Sequence, residues 1–234
     1  VPERIENRFL RLSFNSDGSF DVFDKRADRS YGKFNQFLID GEIGDGWNHV
    51  SPKGGAVHFG GNAGAELKIV GDYPGRTEYE ITRRLTVPAR LEYRGGLHEQ
   101  YRGIAVSEAT VEVKAVTRVI FDADSPLVQV ATVLDNPAAD CRIRLRVPRS
   151  MHGNYQVAQT FGFLERPSGL ARGEETGSWR EPERPEKNFR ELAGSRDEAG
   201  SFYLLAGAGL HEIAASDGEF LLTLLRSFRR TVGS

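Results

Sequence analysis

Apolar and polar residues alternate along much of the chain, and this period of two is typical of strands that bury one face. The clearest alternating segments are residues 10–14, 20–22, 111–115, 128–134 and 143–147. Two late apolar runs, 202–205 and 220–225, are typical of strands that are buried on both faces. No 12-residue window keeps a helical period without a glycine or proline. The pattern predicts an all-β fold, with long strands near 104–121 and 127–147 and the antiparallel sheets of a β-sandwich.

Three interruptions of the alternating pattern predict turns or loops. Asp17-Gly18 predicts a hairpin with a type I′ turn, because both residue types tolerate a positive φ. Asp135-Asn136-Pro137 predicts a second turn. Residues 167–188, PSGLARGEETGSWREPERPEKN, are rich in proline, glycine and charge and cannot bury enough apolar surface to fold alone. We expect 167–188 to form a long surface loop, anchored by Trp179.

Length, composition and charge narrow the class of protein. The 234 residues and 26.0 kDa fit one large all-β domain or two small ones. A formal net charge of −2 predicts neither a nucleic-acid nor a membrane partner, and no run is long enough for a transmembrane helix. A single cysteine, Cys141, excludes a disulfide framework and fits a cytoplasmic protein. The chain begins at Val1 without an initiator methionine, so we expect a piece of a longer polypeptide.

Metal-site and nucleophile motifs are missing from the sequence. The five histidines are scattered and form no His-x-His or His-x-x-x-His pair, so they predict packed or surface residues and no metal site. Neither Gly-x-Ser-x-Gly nor a catalytic cysteine signature occurs. Cys141 stands beside a predicted strand and is expected to be a small buried apolar residue.

An arginine stripe follows the predicted strand at 143–147. Arg142, Arg144 and Arg146 alternate with apolar residues, so their side chains are expected on one face. Such a stripe could bind a phosphate or a carboxylate. Alternatively it is a solvated face, or it pairs with acidic neighbours such as Glu108 and Glu112 on an adjacent strand. The sequence leaves these possibilities open.

The segment GEIGDGWNHVSP, residues 41–52, concentrates polar and aromatic groups between two strand-like regions. Asp40, Glu42 and Asp45 form a carboxylate cluster whose spacing does not match an EF-hand loop. Trp47 and Asn48 follow directly, and an aromatic ring beside polar groups in a Gly-rich loop is suited to sugars. The alternative is that the carboxylates are solvated or cap turns. From the residues alone both interpretations stand.

A series of short motifs in the same order resembles the C-terminal β-domain region of glycoside hydrolase family 38, the α-mannosidase family, in its bacterial type. Within 40–52, Trp47 stands where that family usually has a tyrosine. The resemblance covers almost the whole chain. The segments that carry it are residues 5–11 IENRFLR, 17–19 DGS, 24–26 DKR, 40–52 DGEIGDGWNHVSP, 134–136 LDN, 142–145 RIRL, 163–167 FLERP, 179–189 with its terminal NF, and 222–227 LTLLRS.

This resemblance implies a fold and a set of partners. Residues 1–234 would form a large antiparallel β-sandwich of the supersandwich, galactose mutarotase-like type. A preceding β/α domain would carry the aspartate nucleophile and a Zn²⁺ held by Asp and His, followed by a three-helix bundle. The reaction of the whole enzyme would be retaining hydrolysis of α-mannosides. The chain itself would hold neither catalytic residue nor metal, and would be inactive alone.

The resemblance also implies which residues reach the sugar. The 41–52 loop would line the rim of the pocket, with Trp47 as an aromatic wall and Asp45 and Asn48 near the substrate. Arg226 is a further substrate-binding or interface candidate. Two alternatives remain: a freestanding carbohydrate-binding module, or an aldose-epimerase-like enzyme on the same fold. The epimerase interpretation requires a His and a Glu in matching strands, and no such pair is evident in the sequence.

Overall fold

A computed structural model describes residues 4–46, 49–52, 58–59, 64–93, 104–149, 153–169, 185–196, 202–216 and 218–228. Every regular element in these ranges is a β-strand, and the sheets are antiparallel, so the predicted all-β class is confirmed. These ranges hold no helix of the length and apolar character needed to cross a membrane. The chain divides into two compact units, Val1–Arg144 with Leu225–Ser234, and Leu145–Leu224.

The first unit contains two four-stranded sheets, of which the alternating pattern predicted β2, β3, β11 and β12. The first has the order β1-β2-β3-β4 and the second the order β12-β11-β8-β7. Their strands are β1 Arg4–Glu6, β2 Leu10–Phe14, β3 Phe20–Asp24, β4 Arg29–Phe34, β7 Ala65–Tyr73, β8 Arg76–Pro88, β11 Thr110–Asp122 and β12 Val128–Asp135.

Smaller pairings complete the first unit. β5 pairs with β6 and lies next to β13, while β9 pairs with β10. These strands are β5 Gln36–Gly41, β6 His58–Phe59, β9 Leu91–Tyr93, β10 Ile104–Val106 and β13 Cys141–Pro148. The single long strands expected near 104–121 and 127–147 are each two strands, because residues 107–109 and 136–140 leave the ladder. The Asp135-Asn136-Pro137 turn signal falls in the second break.

Alternation along the strands produces two apolar clusters in the first unit. Leu12, Phe20 and Ile81 are among the buried members of one, and Leu85, Val113 and Ile143 of the other. Cys141 belongs to the second cluster and is 1% exposed, as expected of a small apolar residue, and burial raises the pKa of its thiol to about 11.

The second unit is built from short strands. One sheet has the order β15-β14-β17-β18, and β16, β19 and β20 lie side by side in that order. Buried aromatic rings fill this unit, and those of Tyr155 and Phe220 meet edge to face with centroids 5.5 Å apart. The strands are β14 Tyr155–Gln159, β15 Gly162–Arg166, β16 Glu186–Asn188, β17 Leu192–Arg196, β18 Phe202–Ala206, β19 Glu212–Ser216 and β20 Glu219–Ser227.

Two expectations for the second unit need correction. The predicted loop 167–188 is too long at its end, because Glu186–Asn188 form β16 through backbone pairing with β19, which their polar composition does not reveal. Residues 170–184, with Trp179, lie outside the described ranges. The run 202–205 is a strand but is not fully buried. Leu204 is 52% exposed because β18 is the last strand of its sheet.

The hairpin between β2 and β3 exists, but its turn differs from the type I′ turn expected. Phe14 pairs with Phe20, so the loop contains residues 15–19 and not two residues alone. Gly18 adopts a positive φ of 77°, whereas Asp17 contributes its side chain. The Asp17 carboxylate accepts a hydrogen bond from the Ser19 backbone N–H at 2.9 Å. The Asp-Gly pair thus predicts the hairpin correctly. The length of the loop depends on the hydrogen bonds around Ser19.

Candidate functional site

The segment 42–52 leaves the end of β5 and is organised around Glu42, whose side chain is completely buried. The Glu42 backbone N–H donates to the Asp140 carbonyl at 2.9 Å, which fixes the start of the segment. Its Oε1 accepts hydrogen bonds from the backbone N–H groups of Gly44, at 2.7 Å, and Val50, at 3.2 Å. A single carboxylate oxygen therefore holds both arms of the segment.

The other carboxylate oxygen of Glu42 meets two side chains. Oε2 lies 2.7 Å from Nδ1 of His49 and 2.8 Å from Nε of Arg226. Arg226 also donates from Nη2 to the backbone carbonyl of Asp45 at 2.7 Å. The guanidinium lies 5.6 Å from the centroid of the Phe228 ring. Glu42, His49, Asp45 and Arg226 thus form one connected cluster inside the first unit, referred to below as the Glu42 cluster.

The Glu42 cluster keeps its central carboxylate ionised. Burial raises the pKa of Glu42, but the hydrogen bonds from His49 and Arg226 and their charges outweigh burial and lower the pKa to about 2. Glu42 is therefore a permanent acceptor at neutral pH. A residue held this way is suited to support a loop rather than to exchange protons with a substrate.

His49 also connects to Ser51, since its Nε2 lies 2.9 Å from the Ser51 Oγ. Carboxylate, imidazole and hydroxyl are linked in the order that activates a serine nucleophile. However, the Glu42 oxygen that faces His49 is already paired with the permanent cation Arg226, which reduces the negative charge it can offer a transient imidazolium. The arrangement is better suited to fixing positions 49 and 51 than to acyl transfer.

The arginine stripe meets a different carboxylate from those expected. Arg142 binds Asp40 through two bonds, Nε to Oδ1 at 3.1 Å and Nη2 to Oδ2 at 2.9 Å. Arg144 donates to the same Asp40 Oδ2 at 2.5 Å. All three side chains are at most 9% exposed, so neither a solvated face nor pairing with Glu108 and Glu112 describes these two arginines.

Arg146, the third member of the stripe, lies in the second unit and pairs with Glu219 there at 2.7 Å. Of the possibilities left open by the sequence, pairing with acidic residues on a neighbouring strand is the one observed, with Asp40 and Glu219 as the partners. These partners could not be read from residue spacing, since they depend on which strands lie next to β13.

Of the four predicted sugar-binding residues, the structure describes Asp45 and Arg226. Asp45 is half-buried and its carbonyl accepts from Arg226. Arg226 is 12% exposed at its side chain and points into the Glu42 cluster. Trp47 and Asn48 lie outside the described residues. The structure brings Arg226 into contact with the 41–52 segment at Glu42 and Asp45. Contact with a sugar stays a prediction for all four residues.

Metal binding by the carboxylate cluster does not fit the contacts. Asp40 is taken by Arg142 and Arg144, and Glu42 by His49 and Arg226. Across the described ranges no three His, Cys, Asp or Glu side chains come together as a possible metal site.

The carboxylates that the sequence grouped together, Asp40, Glu42 and Asp45, have different partners, and the sequence did not reveal the roles of Glu42 and His49. His49, expected to be a packed or surface residue, is packed, with 7% of its side chain exposed. Its pairing with Glu42 could have been suspected from the seven-residue spacing across a Gly-rich loop. No local signal identifies Arg226 as the second partner, because it is 184 positions away.

Comparison with known proteins places the fold. Two solved structures from Enterococcus faecalis share it: a protein in glycosyl hydrolase family 38, with a TM-score of 0.81, and an alpha-mannosidase from strain V583, with a TM-score of 0.82. Each is 19% identical to this chain, and each match covers 97% of this chain and 26% of the solved chain. No protein-family model and no curated protein sequence matches.

The protein therefore has the all-β fold found in about a quarter of those two solved chains. This likeness confirms, at the level of the fold, the resemblance to glycoside hydrolase family 38 drawn from the sequence motifs. Since the chain spans about a quarter of the length of these structures, the activity of a whole enzyme is a matter for proposal.

Proposed function

We propose that this chain is a non-catalytic β-domain of an α-mannosidase-type retaining glycosidase. It packs against a catalytic domain and a helical bundle of the same polypeptide and completes the sugar-binding cleft. The sheets would assemble as a supersandwich, and the enzyme would work in the cytoplasm on an α-mannoside. The Zn²⁺ belongs to the catalytic domain in this proposal.

The observation that supports the proposal is the organised loop 42–52, together with the fold. Seven hydrogen bonds or ion pairs are described around Glu42, His49 and Arg226, and residues 42–46 and 49–52 belong to no strand. Loops held this firmly by a scaffold are where proteins place binding groups. Asp45, Trp47 and Asn48 are the groups this loop offers, and they suit the hydroxyls and the apolar face of a sugar.

A test of the reaction class uses the polypeptide encoded together with the DNA upstream of Val1. We expect it to contain a zinc-ligand Asp/His set and to hydrolyse an aryl α-mannoside. Trp47→Ala should raise KM for that substrate about 5- to 30-fold, because an aromatic face lost from a sugar site removes on the order of 1–2 kcal/mol. Trp179→Phe is the matched control and should leave KM unchanged.

A second test uses the 234-residue chain alone. No turnover of the aryl α-mannoside is expected, and zinc-independent turnover by the chain would contradict the proposal. Titration with mannose and short mannosides, followed by tryptophan fluorescence, separates the domain from a freestanding binding module. Binding that disappears in Trp47→Ala would favour the module, whereas absence of binding by the chain alone fits a loop that completes another domain's pocket.

A further inference from the structure

The two ends of the 42–52 segment meet beside the Glu42 cluster. The ring of Pro52 packs so closely on Gly41 that a Cβ at position 41 would lie 2.9 Å from its Cγ. The backbone N–H of Ile43 donates to the Val50 carbonyl at 2.9 Å. These contacts close the segment at its base, where residues 41–43 meet residues 50–52.

Glu42 supports the segment from beneath. Its Oε1 receives the N–H groups at Gly44 and Val50, which stand on either side of residues 45–49. Its Oε2 receives His49 directly. Four donors converge on one buried carboxylate when Arg226 is included. Charge-assisted hydrogen bonds of this kind are about twice as strong as neutral ones.

Arg226 extends the support to the other arm. One nitrogen binds Glu42 and another binds the Asp45 carbonyl, so the guanidinium connects the buried anchor to the backbone two residues before Trp47. The ring of Phe228 lies beside both this guanidinium and Gly46, where an added Cβ would be 3.5 Å from the ring. A lysine could keep the charge but could not hold both oxygen atoms in this planar arrangement.

We infer that Glu42 and Arg226 are positioning residues. They fix the backbone on both sides of Trp47 and Asn48, at residues 44–45 and 49–50, and do not contact the sugar themselves. For Arg226 this replaces direct substrate binding. Ordering one residue costs about 1–2 kcal/mol, so a loop that is already ordered loses less free energy when its ligand binds. The link to sugar binding rests on the proposed function, while the support of the loop does not.

The experiment follows the loop through Trp47. The chain has two tryptophans, so a Trp179→Phe background leaves Trp47 as the only emitter. Acrylamide quenching and fluorescence anisotropy then report how firmly the loop is held. Glu42→Gln should at least double the quenching constant of Trp47 and lower its anisotropy, because an amide cannot accept from all four donors. Arg226→Lys should also raise the quenching constant and lower the anisotropy. It replaces Glu42→Gln as the test variant if Glu42→Gln does not fold.

A control separates support of the loop from stability in general. Ile81→Val removes a methyl group from the core of the first unit and should lower stability without changing the quenching of Trp47. In the longer polypeptide of the proposed function, Glu42→Gln should raise KM for an aryl α-mannoside about tenfold with little change in kcat, which corresponds to loss of uniform binding.

The outcomes are distinct. Quenching that stays at the wild-type value in both Glu42→Gln and Arg226→Lys overturns the inference, whatever the sugar does. A quenching constant that also rises in Ile81→Val overturns it too, because the effect would then follow stability alone. If quenching rises in both loop variants while the wild-type polypeptide hydrolyses no mannoside, the positioning role stands and the proposed function fails.

Discussion

Asp40 is the residue on which two buried arginines depend. Arg142 and Arg144 both donate to it, and the three side chains are at most 9% exposed. Buried ion pairs are not a reliable source of stability, since desolvation offsets much of their attraction. Removing one member is different, because it leaves buried charge without its partner. We therefore expect even a conservative substitution at position 40 to lower the free energy of unfolding strongly.

We expect Asp40→Asn to lower the free energy of unfolding by about 3–5 kcal/mol, because the amide leaves two buried guanidiniums without their shared carboxylate. Urea denaturation measures it. Glu112→Gln is the control, since Glu112 pairs with Arg84 where both side chains are about half exposed, and exposed pairs contribute at most about 1 kcal/mol. Equal effects of the two substitutions would contradict this interpretation of Asp40.

Glu42 should make stability depend on acid pH. Its pKa is about 2 in the folded protein against an ordinary 4.5, so the contribution is complete above pH 4.5 and is lost as pH falls towards 2. The contribution is roughly 3 kcal/mol, since one unit of pKa is worth about 1.4 kcal/mol. The stability difference between wild type and Glu42→Gln should therefore shrink between pH 5 and pH 2, as measured by urea denaturation at several pH values. A constant difference would rule this account out.

Among the elements, the hairpin loop at residues 15–19 shows how a turn and the core constrain each other. Gly18 has a positive φ, and a Cβ there would lie 2.5 Å from the Ala65 Cβ and 3.0 Å from Ile81. The buried Arg83 donates from its guanidinium to the carbonyls of Asp17 and Asn35, which holds this loop against the neighbouring sheet. The glycine is thus required both by its backbone conformation and by the close approach.

Gly75 offers a matched comparison for this element. It has a similar φ of 84° in the turn between β7 and β8, but nothing lies within 4 Å of an added Cβ. We expect Gly75→Ala to destabilise by about 1–2 kcal/mol through backbone strain alone. Gly18→Ala should add a further 1–3 kcal/mol, approximately, for the overlap with Ala65. Urea denaturation midpoints measure both, and equal losses would mean that the close approach relaxes without strain.

The sequence alone predicts the positions of several strands but not the burial of the charged residues on them. Alternation identified β2, β3 and β11 because each buries one face, and a period of two survives in any such strand. It could not show that Arg142 and Arg144 point into the protein, since an arginine in an alternating pattern is assigned to the solvent face. Asp40, on the adjacent strand β5, pairs with both of them in the buried interior. In the candidate site the loop was recognisable, while its anchors were not.

At the scale of the whole molecule, the first unit is completed by the far end of the chain. Its residues are Val1–Arg144 together with Leu225–Ser234. The ion pair between Glu42 and Arg226 joins positions 184 apart. Contacts of such separation require a large loss of chain entropy before they form, so they depend on the rest of the fold.

We expect a chain that ends at Leu224 to lose on the order of 3 kcal/mol of stability or more, because Glu42 is left buried without Arg226. Thermal and urea denaturation of the truncated chain measure this loss. Arg226→Met in the full-length chain should reproduce most of it, which assigns the effect to the ion pair. A truncated chain as stable as the full one would contradict the role given to the C-terminal residues.

The all-β class, the β2–β3 hairpin and the inward apolar faces of strands such as β2, β3 and β11 follow from local sequence, because strand periodicity and turn residues act over a few positions. The Glu42 cluster, the Asp40 pairs and the completion of the first unit by residues 225–228 were decided only by the tertiary structure. They join charges separated by 102 to 184 positions, and the benefit of pairing a buried charge exists only where folding has already removed water. Sequence therefore specified which residues could carry charge in the loop, and the fold decided that Glu42 would support it.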